Sequence, residues 1–446
     1  MLIQYSIKLI FPLIVLYSTI LFPLQHACCA VYKVGPGEKY ERIAHVPLDT
    51  LEPGDVVRIH YRKEPYRQKF VLRCSGTKEQ PIVIMGIPHK GRLPVIDGSL
   101  ALQFQEERWP QSGRWLIKVG DADAADYIHI ENLHLCNANS SQKFIRAEHV
   151  LEYRDNAAGV FVWRGRHIVI SGCRIHACGH GVQTNYGPDV SHVTLTGCII
   201  YDNGNFRNPE SGQEHNVYLC GTRTTLQFCR FGASHSGHNI KERGVNTIIR
   251  YNWIEGSKNR QLDLVDYKGY GRANAYVYGN VIVQGKRVDN HNMIYWGGDT
   301  GHSRSGTLFL FNNTIIGRSG RTRFVDVSYS DCNVQIKNNV FDGSGRLWNN
   351  RGSLRGSNNW FSSRIDIPSH LHLGLKGERG GFYGNLMMPY IPEPGSFLID
   401  NGTNEVPKPV RYEPKRYGGG LPRPCDGHMD IGAFEFTRSR VRGSTR

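Results

Sequence analysis

One stretch of the chain sets a lysine, a glutamate and an arginine side by side, Lys241-Glu242-Arg243, among histidines that recur before short apolar runs. The runs are His180-Gly181-Val182-Gln183, His215-Asn216-Val217-Tyr218, His238-Asn239-Ile240-Lys241 and His291-Asn292-Met293-Ile294-Tyr295-Trp296, with Leu262-Asp263-Leu264-Val265-Asp266 between the last two. If these runs are strands stacked in register, His180, His215, His238 and His291 share one outer column. Alternation then turns Ile240 inward and Lys241 outward. Four histidines in register exceed what solubility asks for, and they point to a groove.

Such residues suit proton abstraction beside a carboxylate. Cleaving a uronate polymer by β-elimination needs a base at C5, a group that neutralises the carboxylate as the enolate develops, and an acid for the leaving O4. Lys241 can be the base if its pKa is lowered, a direction in which Arg243 acts. His215 or His238 can serve instead at an ordinary histidine pKa. Arg243, Asn216 or Asn239 can hold the carboxylate, and Tyr218 can be the acid. His180, Gln183, His291, Tyr295 and Trp296 complete the expected binding surface, its aromatic rings suited to stacking on sugars. Asp263 and Asp266 can orient a histidine or bind a cation, although two carboxylates are a weak calcium signal. The plainer reading of Lys241-Glu242-Arg243 is a charged turn.

The elements that must position these groups are legible as a repeat. Nine segments share the pattern apolar-x-[Gly/Asn]-[Cys/Asn]-x-apolar, from Ile130-Glu131-Asn132-Leu133-His134-Leu135 to Gly356-Ser357-Asn358-Asn359-Trp360-Phe361, with small variations. Their fourth position recurs at spacings of 40, 25, 31, 23, 28, 33, 26 and 20 residues. A period in that range with strand-like units indicates a solenoid whose coils carry loops of varying length. The fourth position reads Leu133, Cys173, Cys198, Cys229, then Asn252, Asn280, Asn313, Asn339 and Asn359. A cysteine column followed by an asparagine ladder fits a parallel β-helix, in which equivalent positions stack about 4.8 Å apart. Stacked amides can bond to one another, and asparagine tolerates the left-handed conformation of a bend. The three cysteines then read as small buried hydrophobes.

The boundaries follow. Residues 1–30 read as a signal peptide: Lys8, the apolar stretch Leu9 to Leu24, then Ala27-Cys28-Cys29-Ala30. An uncleaved membrane anchor is the competing reading. Residues 31–436 form the β-helix, with an irregular Pro/Gly-rich wrap over 364–424, and 437–446 is a basic tail. The nine cysteines left after cleavage are an odd number, and no C-x-x-C pair suggests zinc.

Pro53-Gly54-Asp55, Cys74-Ser75-Gly76-Thr77 before Pro81-Ile82, and Ile96-Asp97-Gly98 resemble the opening of secreted right-handed parallel β-helix polysaccharide lyases. His215 to Gly221, the Gly237-His238-Asn239-Ile240-Lys241 turn and Asn246 to Asn252 resemble, loosely, the chondroitinase B/alginate lyase family. The resemblance implies an all-β, right-handed single-stranded solenoid of about 9–12 coils, with Lys241 as catalytic base. That family carries two calcium-binding glutamates shortly before its lysine, where this chain has Ser234 and Ser236. Its catalytic Arg-His-Gly on the next coil is replaced by Leu264-Val265-Asp266. Ca²⁺ is therefore a cofactor the family implies and these residues do not match.

Composition narrows the partner. The net charge is +15, and removal of the first thirty residues, whose sole charged residue is Lys8, leaves +14. That charge would draw an acidic polysaccharide. With no basic helix or stacking sheet, nucleic acid is not expected as a partner. Beyond residue 30 no run is long enough to span a bilayer, so a monomer with no lasting membrane insertion, secreted or periplasmic, is expected. Two alternatives stay open. One is a glycoside hydrolase, for which Asp263 and Asp266 are the best acid pair. The other is a carbohydrate-binding or surface β-helix without chemistry.

Overall fold

The structure, a computed structural model, describes residues 29–106, 112–266, 271–378, 381–383 and 389–438. Of the expected signal peptide only Cys29 and Ala30 lie within them, and of the basic tail only Thr437 and Arg438.

The repeat segments lie on a twelve-stranded parallel sheet. Its register aligns Ile130, Ile170, Leu195, Leu226, Ile249, Val277, Leu310, Ile336 and Gly356, the first position of each repeat. The chain then turns into a second column of short parallel strands, which includes Val95–Asp97, His134–Cys136, Arg174–His176, Ile199–Tyr201 and Trp253–Glu255. A third column follows, with Trp115–Val119, Ala158–Val162, His180–Thr184, Val217–Leu219, Ile240–Glu242, Leu262–Leu264 and Asn292–Trp296. Each coil thus presents three faces around one core of stacked Ile, Val, Leu and Cys.

The asparagine ladder forms at the bend between the first two columns. Each Asn Nδ2 donates to the next rung's Oδ1, from Asn252 to Asn280 (3.0 Å), Asn313 (3.0 Å), Asn339 (2.9 Å) and Asn359 (3.0 Å). Each Nδ2 also donates to a carbonyl one coil back, as Asn313 does to Val277 O (2.8 Å). The cysteines occupy the same station: Cys173 Sγ donates to Ile130 O (3.6 Å) and Cys198 Sγ to Ile170 O (3.4 Å). They are buried thiols and not disulfide halves. One detail differs from expectation. The left-handed residue of the bend is the third position, Phe228, Tyr251, Asn312, Asn338 and Asn358, with φ between 51° and 57°. The fourth is spent on hydrogen bonds instead.

The C-terminal wrap runs along this bend. Asn312, Asn338 and Asn358 donate from Nδ2 to the carbonyls of Asp430, Thr403 and Asn401. Tyr251 Oη accepts from Arg411 N–H (2.9 Å), and Tyr412 packs edge-on against Phe228. The same side chains that turn the coil therefore dock the wrap.

Replacing Asn313 with alanine orphans the buried N–H of Asn280 and the carbonyl of Val277, at about 1–3 kcal/mol each. Urea denaturation should show a loss of about 3 kcal/mol or more for Asn313→Ala, against less than about 0.5 kcal/mol for the exposed Asn401→Ala. Equal losses in the two variants would contradict the ladder's role.

Candidate functional site

The groove lies on the outer face of the third column. Pairing there aligns Gln183, Tyr218, Lys241, Asp263, Tyr295 and Asp326 on successive strands. Between them Val182, Val217, Ile240, Leu262 and Ile294 point into the core. Two residues before each core position stand His180, His215, His238, Arg260 and Asn292. His291 is one residue off this row, and in a strand one residue changes the face. It contacts Ser319 Oγ instead (3.2 Å). The expected four-histidine column is thus three histidines followed by Arg260.

The histidines are linked through backbone. His180 Nδ1 accepts from His215 N–H (3.0 Å), His215 Nδ1 from His238 N–H (3.0 Å), and His238 Nδ1 from Arg260 N–H (3.3 Å). With Nδ1 accepting, the neutral ring carries its proton on Nε2. Burial pushes His180 down to about 3 and His238 down to about 4. It also holds His215 well below its ordinary value, with His238 and His180 adding to the effect. The expectation of His215 or His238 as a base at ordinary pKa therefore gives way. Both are neutral Nε2–H donors, and His238 Nε2 lies 3.3 Å from Asp263 Oδ2.

The centre of the groove is an ionic cluster. Lys241 Nζ donates to Asp263 Oδ2 (2.6 Å) and to Asp299 Oδ2 (2.7 Å). Arg243 forks onto Asp299, with Nη1 to Oδ1 (2.6 Å) and Nη2 to Oδ2 (2.8 Å), and its Nε donates to Tyr218 Oη (3.0 Å). Arg260 Nη1 bonds Asp263 Oδ1, and its guanidinium lies 3.9 Å from the centre of the Tyr295 ring. Burial opposes ionisation of Asp263, but His238, Lys241 and Arg260 hold its carboxyl below the usual carboxylate range. Asp299 is likewise lowered, its burial outweighed by Arg243 and Lys241. Burial pushes the Tyr218 phenol up. Lys241, Arg243, Arg260, Asp299 and Tyr218, together with the Ser211-Gly212-Gln213 loop and Asn290, line an open groove of about 320 Å³.

Lys241-Glu242-Arg243 is a strand end rather than a charged turn. Lys241 and Arg243 face the groove, while Glu242 turns inward to the buried Arg304 (2.9 Å), Thr224 and Thr247.

Several expected residues do other work. Asn216 and Asn239 are fully buried in a second amide ladder, Asn203–Asn216–Asn239–Gln261, so neither can hold a substrate carboxylate. Trp296 faces the core, with Arg304 against its ring. Asp266 lies beyond the strand, its carboxylate accepting from Asp299 N–H and Thr300 Oγ1, so it makes no cation-binding or acid pair with Asp263. Ser234 and Ser236 do not provide a calcium site either. Ser234 Oγ bonds Gly237 O and Ser257 Oγ, and Ser236 Oγ bonds Asn205 N–H and Glu214 O. Gln183 is on the same face, and with its amide set to satisfy both partners it bonds Asn156 O and Arg114 Nη2 (3.1 Å each). Tyr295 Oη donates to Gly298 O (2.9 Å).

Asp299 and Arg260 escaped the sequence reading. Asp299 stands on the Gly297-Gly298-Asp299-Thr300-Gly301 loop, remote from the strand pattern. Arg260 was accessible in principle, because it precedes Leu262 as His215 precedes Val217.

No protein-family model matches this sequence, and no curated protein matches it. Among solved structures the chain is similar to pectate lyase Pel9A, at a TM-score of 0.53 and 14% identity, over 92% of this chain and 96% of that one. It is more distantly similar to a GH136 lacto-N-biosidase from Eubacterium ramulus (TM-score 0.45, 14% identity, 78% of this chain and 67% of that one). An alginate lyase from Paenibacillus sp. str. FPU-7 follows (TM-score 0.38, 13% identity, 72% and 95%). The fold is the right-handed parallel β-helix found in polysaccharide lyases.

The buried histidines set a pH dependence. An unfolded histidine takes up a proton near its ordinary value of 6.5, whereas folded His238 resists until about 4 and His180 until about 3. Depressed folded values mean stability that is present above pH 6.5 and lost as pH falls toward 4. Each such histidine contributes up to about 1.4 kcal/mol per pH unit. Denaturation at several pH values should show falling stability over this window and a shallower slope for His180→Gln. An unchanged slope would contradict the neutral column.

Proposed function

We propose that the protein is an exported enzyme that acts on an acidic, uronate-containing polysaccharide by C5 proton abstraction, with β-elimination across the C4–O4 bond or epimerisation at C5. The observation that carries this reading is the position of Asp299. Its carboxylate lies in a fork made by Arg243 and touches Lys241 Nζ, so the groove is built to seat a carboxylate against a lysine. A uronate carboxylate has the same planar, bidentate geometry. Displacing Asp299, it would bring the adjacent C5 proton to Lys241.

The roles follow from the contacts. Arg243, with Arg260 at the groove's edge, balances the charge of the developing enolate. The neutral Nε2–H of His215 and His238 supplies further donors. Lys241 Nζ, freed from Asp299 and having first given one ammonium proton to solvent, takes the C5 proton as a neutral amine. Electrons of the C5–H bond form the C4=C5 double bond as C4–O4 breaks, and Tyr218 Oη, holding its proton and next to Arg243, delivers it to O4. None of these roles is assigned to calcium, because Ser234 and Ser236 do not fit it. Further along the same face Arg323, Arg346 and Arg351 line a shallow depression of about 400 Å³, which supports an extended anionic chain as the ligand.

Hydrolysis finds less support. A glycoside hydrolase needs one protonated and one ionised carboxyl across the sugar. Asp263 and Asp299 are both held ionised by neighbouring cations. Burial pushes Glu214 up, but its carboxylate turns to Ser211 (3.2 Å).

The test is ultraviolet detection of unsaturated uronate from the chain without residues 1–30, against pectate, alginate, glucuronan, chondroitin and dermatan sulfates and heparan, with and without calcium. Lys241→Ala should lower kcat by about 10²–10⁴-fold on the substrate that responds. Asp299→Asn, which weakens the competing carboxylate, should lower KM. Full activity in Lys241→Ala would exclude it as the base. New reducing ends without absorbance would indicate the hydrolase, and binding without turnover a non-catalytic protein.

A further inference from the structure

The second column carries a different cluster on its outer face. His134 and Cys136 flank the inward Leu135 on the strand His134–Cys136, and the next coil aligns Arg174 with His134 and His176 with Cys136. One ligand atom each from His134, Cys136 and His176 lies within 4.8 Å of the others. The two imidazoles meet at 2.8 Å between Nε2 atoms. Tyr201 stacks on His176 at 5.1 Å and walls one side. Cys136 is 6% exposed, so its sulfur is shielded without being part of the core cluster.

We propose that His134, Cys136 and His176 form a binding site for a thiophilic transition-metal ion of the zinc class. Two imidazoles and one thiol are ligands for zinc or copper, and a poor set for calcium or magnesium. At Zn–N bonds of about 2.0–2.1 Å, tetrahedral nitrogens stand about 3.3 Å apart, so an opening of roughly 0.5 Å between the rings admits the ion. Side-chain rotation on fixed strands supplies that much. The Cys136 thiol must give its proton to solvent as the metal–sulfur bond forms. Asp97 is the strand neighbour of Cys136. Its Oδ1 accepts from Ser99 N–H and Asn137 Nδ2, and Arg67 stands 3.4 Å from Oδ2. It therefore adds nearby negative charge and is not counted as a ligand. Three protein ligands leave the fourth position to solvent, and the ion would tie two successive coils together.

The site lies on a different face from the groove, and its test does not depend on the reading of Lys241. The full chain is stripped with EDTA and titrated with Zn²⁺, and separately with Co²⁺ as a spectroscopic substitute, with Ca²⁺ as control. The expected result is one Zn²⁺ per chain and a cobalt spectrum with tetrahedral bands and a thiolate-to-cobalt charge-transfer band. In Cys136→Ser that band should vanish, and Zn²⁺ affinity should fall at least tenfold, as it should in His176→Gln. Circular dichroism of each metal-free variant establishes that it is folded. Absence of the charge-transfer band from the unmodified protein would overturn the proposal whatever the variants do. So would Zn²⁺ affinity unchanged in folded Cys136→Ser and His176→Gln.

Discussion

The structure depends on one constraint: each coil must place its hydrogen-bonding groups directly over those of the coil before it. A bend in a buried chain exposes N–H and C=O groups that have no ladder partner, and a buried orphan of this kind costs as much as a lost hydrogen bond. From Asn252 to Asn339 the side chain at the fourth repeat position meets that need with the same two contacts, a donor to the carbonyl one coil back and an acceptor for a neighbouring N–H. Asparagine does both from one amide. Cysteine does it more weakly, as Cys198 N–H donating to Cys229 Sγ at 3.4 Å shows. The switch from Cys173, Cys198 and Cys229 to Asn252 and its successors therefore changes the chemistry of the rung and keeps its function.

Register fixed in this way has consequences on the outer faces. Once the core positions Val217, Ile240, Leu262 and Ile294 are stacked, the intervening residues Tyr218, Lys241, Asp263 and Tyr295 are stacked too. Adjacent strands bring their side chains within reach of one another, so Lys241 meets Asp263 because their backbones are paired. The groove's charge pattern is a product of strand pairing, and loops adjust it: Asp299 enters from the corner beyond the third column and Ser211 to Gln213 from the opposite side. The inner face of the same strand serves stability, with Glu242 neutralising Arg304 behind Lys241 and Arg243. Truncating either member of that pair would leave a buried charge and destabilise the strand that carries Lys241.

Much of the fold was legible because a stacked architecture writes its period directly into the sequence. The nine repeat segments, the cysteine-to-asparagine column and the outward direction of Lys241 all appear as read. What failed did so for definable reasons. The His291 placement assumed that a His opening a short apolar run marks the same station in every coil, and a one-residue offset moved it off the row while Arg260 filled the place. Asn216 and Asn239 have the polarity of ligands, yet they are the rungs of a second ladder, a role that becomes visible only when the partners Asn203 and Gln261 are in register. Trp296 reads as a sugar platform by type, but its parity along the strand puts it inside. Asp299 lies on a loop that carries no periodicity. The His134–Cys136–His176 cluster was invisible to spacing rules because two of its ligands alternate along one strand and the third comes from the next coil.

The distribution of charge in the groove bears on which chemistry it can support. Histidines that could have been bases are held neutral by burial and by the N–H groups their Nδ1 atoms accept. Carboxylates that could have been acids are held ionised by Lys241, Arg243, Arg260 and the neighbouring His238. What remains is a surface rich in donors and cations around one lysine, with a tyrosine whose proton is retained. That combination stabilises negative charge developing next to a carboxylate, the demand made by proton abstraction at C5. It offers little to an oxocarbenium-like transition state, which needs negative charge beside the sugar ring and a protonated carboxyl at the leaving oxygen. In the resting groove Asp299 satisfies the cations, and under the proposed reaction an entering uronate would replace it. The exchange of one carboxylate for another would conserve the ion pairs of Arg243 and leave Lys241 between Asp263 and the substrate.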